Sequence, residues 1–319
     1  MNMNKGSRIC MDHSRPFGVM FHHFHKKGDK PLGQGSLTPE RFANIITQLK
    51  DEYNLLPAKS WYYKAATETL EKDDICITFD DNLLSQYEIA FPILEKHNLT
   101  GFWFVYSSPL KGELEKLELY RYYRCTEFND INEFYKGFDN KVSELFGKDD
   151  ISRKLLNFDS DNYLSAFPFY SLEDKRFRYL RDEILGELNY NHVMDMMIEN
   201  SRLKLSDVSK KIWFNSSAIK HLHQSGHIIG LHSHSHPNRL NQLSHEDQYR
   251  EYIDNYKILN GITEERLSVA AHPTNSYNDD TFKVFKELNV IIGFRSTMEI
   301  GFDSNYEFPR IDHALLSIT

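Results

Sequence analysis

The sequence predicts an α/β fold, and three observations carry that prediction. Short apolar runs of strand type alternate with amphipathic helical patterns toward both ends of the chain. The order strand, helix, strand implies parallel pairs joined by right-handed crossovers. The candidate catalytic side chains fall where such runs stop, at strand ends, which is where α/β folds build active sites.

Phe17 to Phe24 reads as the first strand, running into His22, His23 and His25. A Gly-rich loop (Gly28, Gly33, Gly35) follows, and Thr38-Pro39-Glu40 opens a helix with an N-cap and a first-turn proline. That helix repeats Phe42, Ile45, Ile46 and Leu49 at helical spacing. Ile75 to Phe79 is the second strand; Leu83 to His97 fits a helix that Pro92 bends or interrupts; Gly101 to Tyr106 is the third strand. Between about Leu110 and Lys211 strand signals nearly vanish and charged helical patterns take over, so residues 107–211 are expected to form a helical insertion or cap. From Ser216 the alternation resumes: helix Ala218–Gln224, strand Ile228–Leu231, helix His245–Leu259, strand Leu267–Ala271, helix Asp279–Leu288 and strand Val290–Phe294. The 319 residues suit one α/β domain, here 13–106 with 212–319, carrying that insertion, or two domains.

A hydrophobic fraction of 40% and a charged fraction of 26% are those of a globular chain able to form a core. The net charge of −8 argues against a nucleic-acid partner, which needs a basic face. No segment approaches the ~18 apolar residues of a membrane span, and Met1 to Asp12 holds no signal-peptide core, so the expected location is cytoplasmic. Cys10, Cys76 and Cys125, odd in number and far apart, indicate neither a disulfide framework nor a thiolate metal site. Cys76, within an apolar strand, reads as a small buried hydrophobe.

Chemistry concentrates in two places. Asp80 and Asp81 end the run Ile75-Cys76-Ile77-Thr78-Phe79, and His232 and His236 follow Ile228-Ile229-Gly230-Leu231. Where a strand ends and the backbone turns, both carboxylates can approach one centre; a cation there ionises the one that ligates it and leaves the other as a free base. Asn82 tolerates the left-handed conformation such a turn demands, although Asp81-Asn82 is equally a cap for the next helix. His232 and His236, four apart, can lie on one side of a turn that Pro237 stops, whereas His234 has the opposite phase; a His-rich surface turn is the plainer alternative. One aspartate and two histidines supply three N/O ligands to a divalent metal, and a fourth position open to water makes such a site hydrolytic. The stripe Phe169, Tyr170, Arg178 and Arg181 fits helix packing with solvated charge, or else a surface for an anionic sugar conjugate.

Thr78-Phe79-Asp80-Asp81, taken with His232-Ser233-His234-Ser235-His236-Pro237, resembles the NodB-like polysaccharide deacetylases, carbohydrate esterases whose motifs read Thr-Phe-Asp-Asp-Gly and His-Ser/Thr-x-x-His. The likeness runs from about Phe17 to Tyr106 and from Ser216 to about Arg310. It implies a distorted (β/α) barrel with a large helical insertion, and removal of an N-acetyl or other small N-acyl group from an amino sugar, polysaccharide precursor or sugar conjugate. It also implies Asp80 as general base and Asp81, His232 and His236 as ligands of a divalent metal, usually zinc. Asn82 stands where the family has glycine, and the third motif, Arg-x-Pro-Tyr or similar, is matched only loosely at Ala270 to Tyr277, where the arginine that steadies the base is replaced or absent. His313 and His272 are the candidate acids, and His23, Pro273, Thr274 and Arg310 the candidate substrate contacts. The expected partner is an N-acylated sugar, with homo-oligomer contact possible through the helical block. A sugar deformylase, and a degenerate member that binds sugar or metal without turnover, are the alternative readings.

Overall fold

The computed structural model describes residues 15–31, 35–165, 170–299 and 304–316. The chain forms two compact units. The first takes its described residues from Met1–Lys27, Leu37–Glu115 and Trp213–Thr319, the second from Gly28–Ser36 and Lys116–Ile212.

The first unit begins with β1 (Phe17–Phe21), α1 (Pro39–Glu52), β2 (Asn54–Leu55), α2 (Ala58–Ala66), β3 (Asp74–Phe79), α3 (Phe91–Lys96) and β4 (Phe102–Val105). The Thr38 hydroxyl caps α1 by accepting from Arg41 N, and its buried face is Phe42, Ile45, Ile46 and Leu49. The helix expected from Leu83 to His97 is interrupted: a π-helical turn, Gln86–Ala90, precedes α3, and Pro92, which has no N–H to continue an α-helical ladder, follows at once.

The second unit is helical: α4 (Lys116–Thr126), α5 (Ile131–Phe146), α6 (Lys148–Leu155), α7 (Leu172–Tyr179), α8 (Gly186–Glu199) and α9 (Leu205–Ile212). Its aromatic core brings Phe134, Phe138 and Tyr190 around Phe177, with ring centroids 5.0 to 6.1 Å from it. Of the aromatic and arginine stripe, Phe169 lies outside the described residues. Arg178 Nε donates to buried Asp174 at 2.7 Å while its guanidinium covers Tyr170 at 4.0 Å, and Arg181 makes a two-pronged contact with Asp182. Both arginines are therefore engaged within their own unit, the packing arrangement.

The chain then completes the first unit with α10 (Ser216–Gln224), β5 (Ile228–Leu231), α11 (His245–Thr263), β6 (Val269–Ala271), α12 (Asp279–Glu287), β7 (Ile292–Phe294) and β8 (Arg310–Asp312). Among the described residues the named strands all pair parallel, in the order β7-β6-β5-β4-β3-β1-β8, with β2 on β3. A parallel bridge between Phe294 and Phe308 links β7 to the residues entering β8, which nearly closes the sheet into a barrel.

Strand parity divides the core in two. Cys76, Phe102, Phe104, Val269, Ala271, Ile292 and Phe294 cluster with Trp61 of α2 inside the barrel, while Ile75, Ile77, Phe79, Trp103, Val105, Ile229 and Leu231 pack with the helix layer. Gly230 has the interior parity, and a Cβ there would lie 2.5 Å from the Phe104 ring. Cys76 is fully buried, and burial raises its thiol pKa well above the usual range, leaving it inert.

Candidate metal centre

The interior parity, continued past the strand ends, builds the site. On β3 it runs Cys76, Thr78, Asp80; on β1 Gly18, Met20, His22; on β5 Gly230, His232; on β4 Phe104, Tyr106. These positions gather at the C-terminal ends of the parallel strands, the end on which barrels carry their chemistry.

Asp81, His232 and His236 converge. The His232 Nε2 and His236 Nε2 atoms lie 3.5 and 3.3 Å from Asp81 Oδ1, and one ligand atom from each of the three residues lies within 4.8 Å of the others. Two ligands each ~2.1 Å from a tetrahedral ion sit roughly 3.4 Å apart, so this spacing suits a single divalent cation. Asp81 Oδ1 is buried and has no hydrogen-bond partner, which a cation would remedy. His232 Nδ1–H donates to Ala271 O at 2.9 Å, leaving the Nε2 lone pair for coordination. Burial works against the Asp81 carboxylate, but the His236 and His232 charges outweigh it and hold its pKa far below the usual range. Burial likewise opposes the charge on His232, yet Asp80 and Asp81 raise its proton affinity; a bound cation would take that proton's place.

The turns that bring these groups together require unusual backbone. Asp81, Asn82, Ser233 and His236 all have positive φ, at 74°, 42°, 63° and 56°. Several contacts hold them. Gln86, fully buried, donates from Nε2 to Asp80 O and His22 O and accepts from Leu83 N, tying the β1 and β3 ends together. Asn255 of α11 accepts from His232 N and donates to Val105 O, joining β5 to β4. Glu251, one helical turn earlier, accepts from His234 N, Ser235 N and the Ser235 hydroxyl. His234 itself turns away onto Ser107, in line with its opposite phase.

Asp80 has a partner that corrects the expectation of a missing arginine. Arg310, from β8, grips both carboxylate oxygens at 2.6 and 2.8 Å and also reaches the Thr78 hydroxyl at 3.3 Å. The arginine thus comes from the last strand rather than the third motif, and Arg310, expected to contact substrate, is almost wholly buried on Asp80. Burial opposes the Asp80 charge, and Arg310 outweighs it, holding the pKa below the usual carboxylate range.

Among the histidines after β1, the one facing the carboxylates is His22, 3.9 Å from both Asp80 Oδ2 and Asp81 Oδ2 with its side chain 26% exposed. The expected contact His23 is buried, its carbonyl accepting from Leu37 N. His272 is also displaced from the acid role: it is buried between the Tyr277 and Phe285 rings, its Nε2 is 2.8 Å from Tyr306 O, and burial lowers its pKa to about 3. A side chain so enclosed and neutral does not reach a leaving group. His313 stacks on Phe21 at 5.2 Å, with Nδ1 near Met20 O and Asp312. Pro273 is buried, and Thr274, exposed with a φ of 49°, donates its hydroxyl to Asn238 O on the same strand-end face.

Sequence reasoning missed the pairing of Arg310 with Asp80, as well as Gln86, Asn255 and Glu251. A signal existed for His22, which extends the Gly18, Met20 parity by one step. No comparable signal marks the others, whose roles depend on which strands become neighbours.

Residues 192–292 match the polysaccharide deacetylase family model, a span that includes His232 and His236 but not Asp80 and Asp81. No curated protein matches the sequence. Among solved structures, the chain is similar to the Streptococcus pyogenes deacetylase PplD in complex with acetate, at 16% identity and a TM-score of 0.54 over 93% of this chain and 91% of that one. It is similar to the de-N-acetylase from Aggregatibacter actinomycetemcomitans, at 11% identity and a TM-score of 0.56 over 95% and 97%. It is also similar to IcaB from Ammonifex degensii, at 12% identity and a TM-score of 0.54 over 94% and 91%. At these identities the likeness establishes the fold, that of the NodB-like polysaccharide deacetylases.

Proposed function

We propose that this chain, with the polysaccharide deacetylase fold and family-model match, is a metal-dependent hydrolase that removes a small N-acyl group, acetyl foremost, from an amino sugar, polysaccharide precursor or sugar conjugate. The observation that carries this reading is the approach of His232 and His236 to within 3.5 and 3.3 Å of Asp81 beside an Asp80 carboxylate locked by Arg310. Asp81, His232 and His236 would hold the cation, for which zinc fits the donor set. When bound, it supplies Lewis acidity, polarising the acyl carbonyl and acidifying water.

The chain's own groups do the rest. Asp80, kept ionised and oriented by Arg310, accepts the proton of the attacking water. A backbone N–H of the Thr274 turn stabilises the tetrahedral oxyanion. The leaving amine departs toward solvent, so its proton donor belongs at the mouth of the site. His22, the partly exposed group beside both carboxylates, suits that role better than His272, with His313 as the remaining candidate. The loose third motif speaks for a degenerate member without turnover, whereas the Arg310 contact, which gives Asp80 an arginine from elsewhere in the chain, favours turnover.

The test is acetate release from N-acetylated glucosamine oligomers by zinc-loaded protein, compared with His22→Asn. The variant should retain metal and lose ~10²–10⁴-fold in turnover on the amide. It should hydrolyse 4-nitrophenyl acetate nearly as fast as wild type, because that leaving group needs no proton. A His22→Asn variant equally slowed on both substrates, or on neither, contradicts the assignment, and a zinc-loaded wild type inert toward every N-acetylated sugar contradicts the function.

A further inference from the structure

We infer that Glu251, a residue of α11 that binds the turn between His232 and His236 through His234 N and Ser235, is a positioning residue that sets the metal affinity of the site. The inference rests on the metal-centre reading above. The ligand turn from His232 to His236 contains two non-glycine residues in left-handed conformation, Ser233 and His236. Such backbone persists only where its surroundings over-determine it. One end of the turn is fixed by Asn255, which accepts from His232 N at 3.1 Å. A Ser233 hydroxyl accepting from His236 N at 3.1 Å closes the turn on itself. Between these, His234 N, Ser235 N and Ser235 Oγ donate to the single carboxylate of Glu251 at 2.9, 2.8 and 2.7 Å.

A carboxylate accepts all three at once. A glutamine keeps one oxygen for the two backbone donors and turns an NH2 toward Ser235 Oγ, which must then accept instead of donate, and the negative charge that strengthens all three bonds is gone. Charge-assisted bonds of this kind are the stronger class. Without them the turn relaxes toward ordinary φ and carries His236 Nε2 away from its 3.3 Å spacing to Asp81. A tetrahedral site tolerates only a few tenths of an ångström in that spacing.

The experiment is a competition titration of Zn2+ against a chromophoric chelator with the full chain, for wild type, Glu251→Gln and Ser235→Ala, together with the melting temperature of each metal-free protein. Glu251→Gln should weaken Zn2+ binding by ~10–100-fold, the usual cost of a lost supporting shell. Ser235→Ala, which removes one exposed bond of the three, should weaken it several-fold, and both metal-free melting temperatures should stay within about 4 °C of wild type. If Glu251→Gln does not fold, Ser235→Ala carries the test. Wild-type binding with unchanged affinity in the variants overturns the role of Glu251 and leaves the metal centre standing. Affinity lost only in step with metal-free melting temperature shows plain destabilisation and also overturns it. A wild type that binds no Zn2+ overturns both readings.

Discussion

Asp80 and Asp81 adjoin in sequence but face different company: Asp80 is gripped by Arg310, and Asp81 faces His232 and His236. Their amide variants should therefore diverge. Asp80→Asn is expected to keep Zn2+ affinity within a few-fold while turnover falls ~10²–10⁴-fold, and Asp81→Asn to lose the metal itself. Metal content and acetate release on both proteins check this, and equal metal loss would merge the two roles. Arg310→Met would take from buried Asp80 its two-pronged partner, leaving His22 at 3.9 Å, at a cost of about 3 kcal/mol in urea unfolding. The two aspartates and two of the histidines were legible because strand ends and four-residue spacing are local properties. Arg310 lies 230 positions from Asp80, and only barrel closure brings them together.

At the scale of elements, β1 threads between β3 and β8, with Gly18 in register with Cys76 on one side and Arg310 on the other. A Cβ at Gly18 would lie 3.1 Å from Arg310 Cγ and 3.1 Å from Thr78 Cγ2, so the glycine makes room for the arginine to cross the barrel. Gly18→Ala is expected to cost about 1–3 kcal/mol through overpacking and to lower turnover by displacing Arg310, with Zn2+ affinity nearly unchanged. Stability and turnover both equal to wild type would contradict this.

At the entry to β5, His227 Nδ1 accepts from Gly101 N and Trp103 Nε1, and burial lowers its pKa to about 4. An unfolded histidine titrates near ~6.5, so the stability tied to the neutral ring is complete above that value and is lost as pH falls toward the folded pKa. From pH 7 to pH 5 the loss from this group is about 2 kcal/mol. His227→Gln, which keeps an acceptor without titrating, should flatten that part of the urea-unfolding pH profile, and an unchanged profile would refute it. The longer strands and helices were legible from periodicity. The segments β2, α2 and β8 were not, because a two-residue or three-residue strand has no period and α2 hides its single large apolar face, Trp61, inside the barrel.

For the whole molecule, we propose that the helical unit serves substrate choice or assembly rather than catalysis, since every candidate ligand, base and acid belongs to the first unit. Arg178 and Arg181 belong to its own packing, so they make poor probes of sugar preference. Arg178→Ala takes from buried Asp174 its 2.7 Å partner, leaving Arg124 at 3.8 Å and the Tyr135 hydroxyl, and should cost about 3 kcal/mol in that unit. Zn2+ affinity of the folded variant should match wild type, and its loss would tie the helical unit to the metal centre. Among the described residues no helix is long and apolar enough to cross a membrane.

One divalent ion is proposed to sit between Asp81, His232 and His236. Anomalous diffraction at the zinc edge from a zinc-loaded crystal tests it most directly. One strong peak is expected, bonded at ~2.0–2.2 Å to an Asp81 carboxylate oxygen and to Nε2 of His232 and His236. A strong peak elsewhere with these three side chains unligated, or a zinc-saturated crystal with no peak among them, would contradict it.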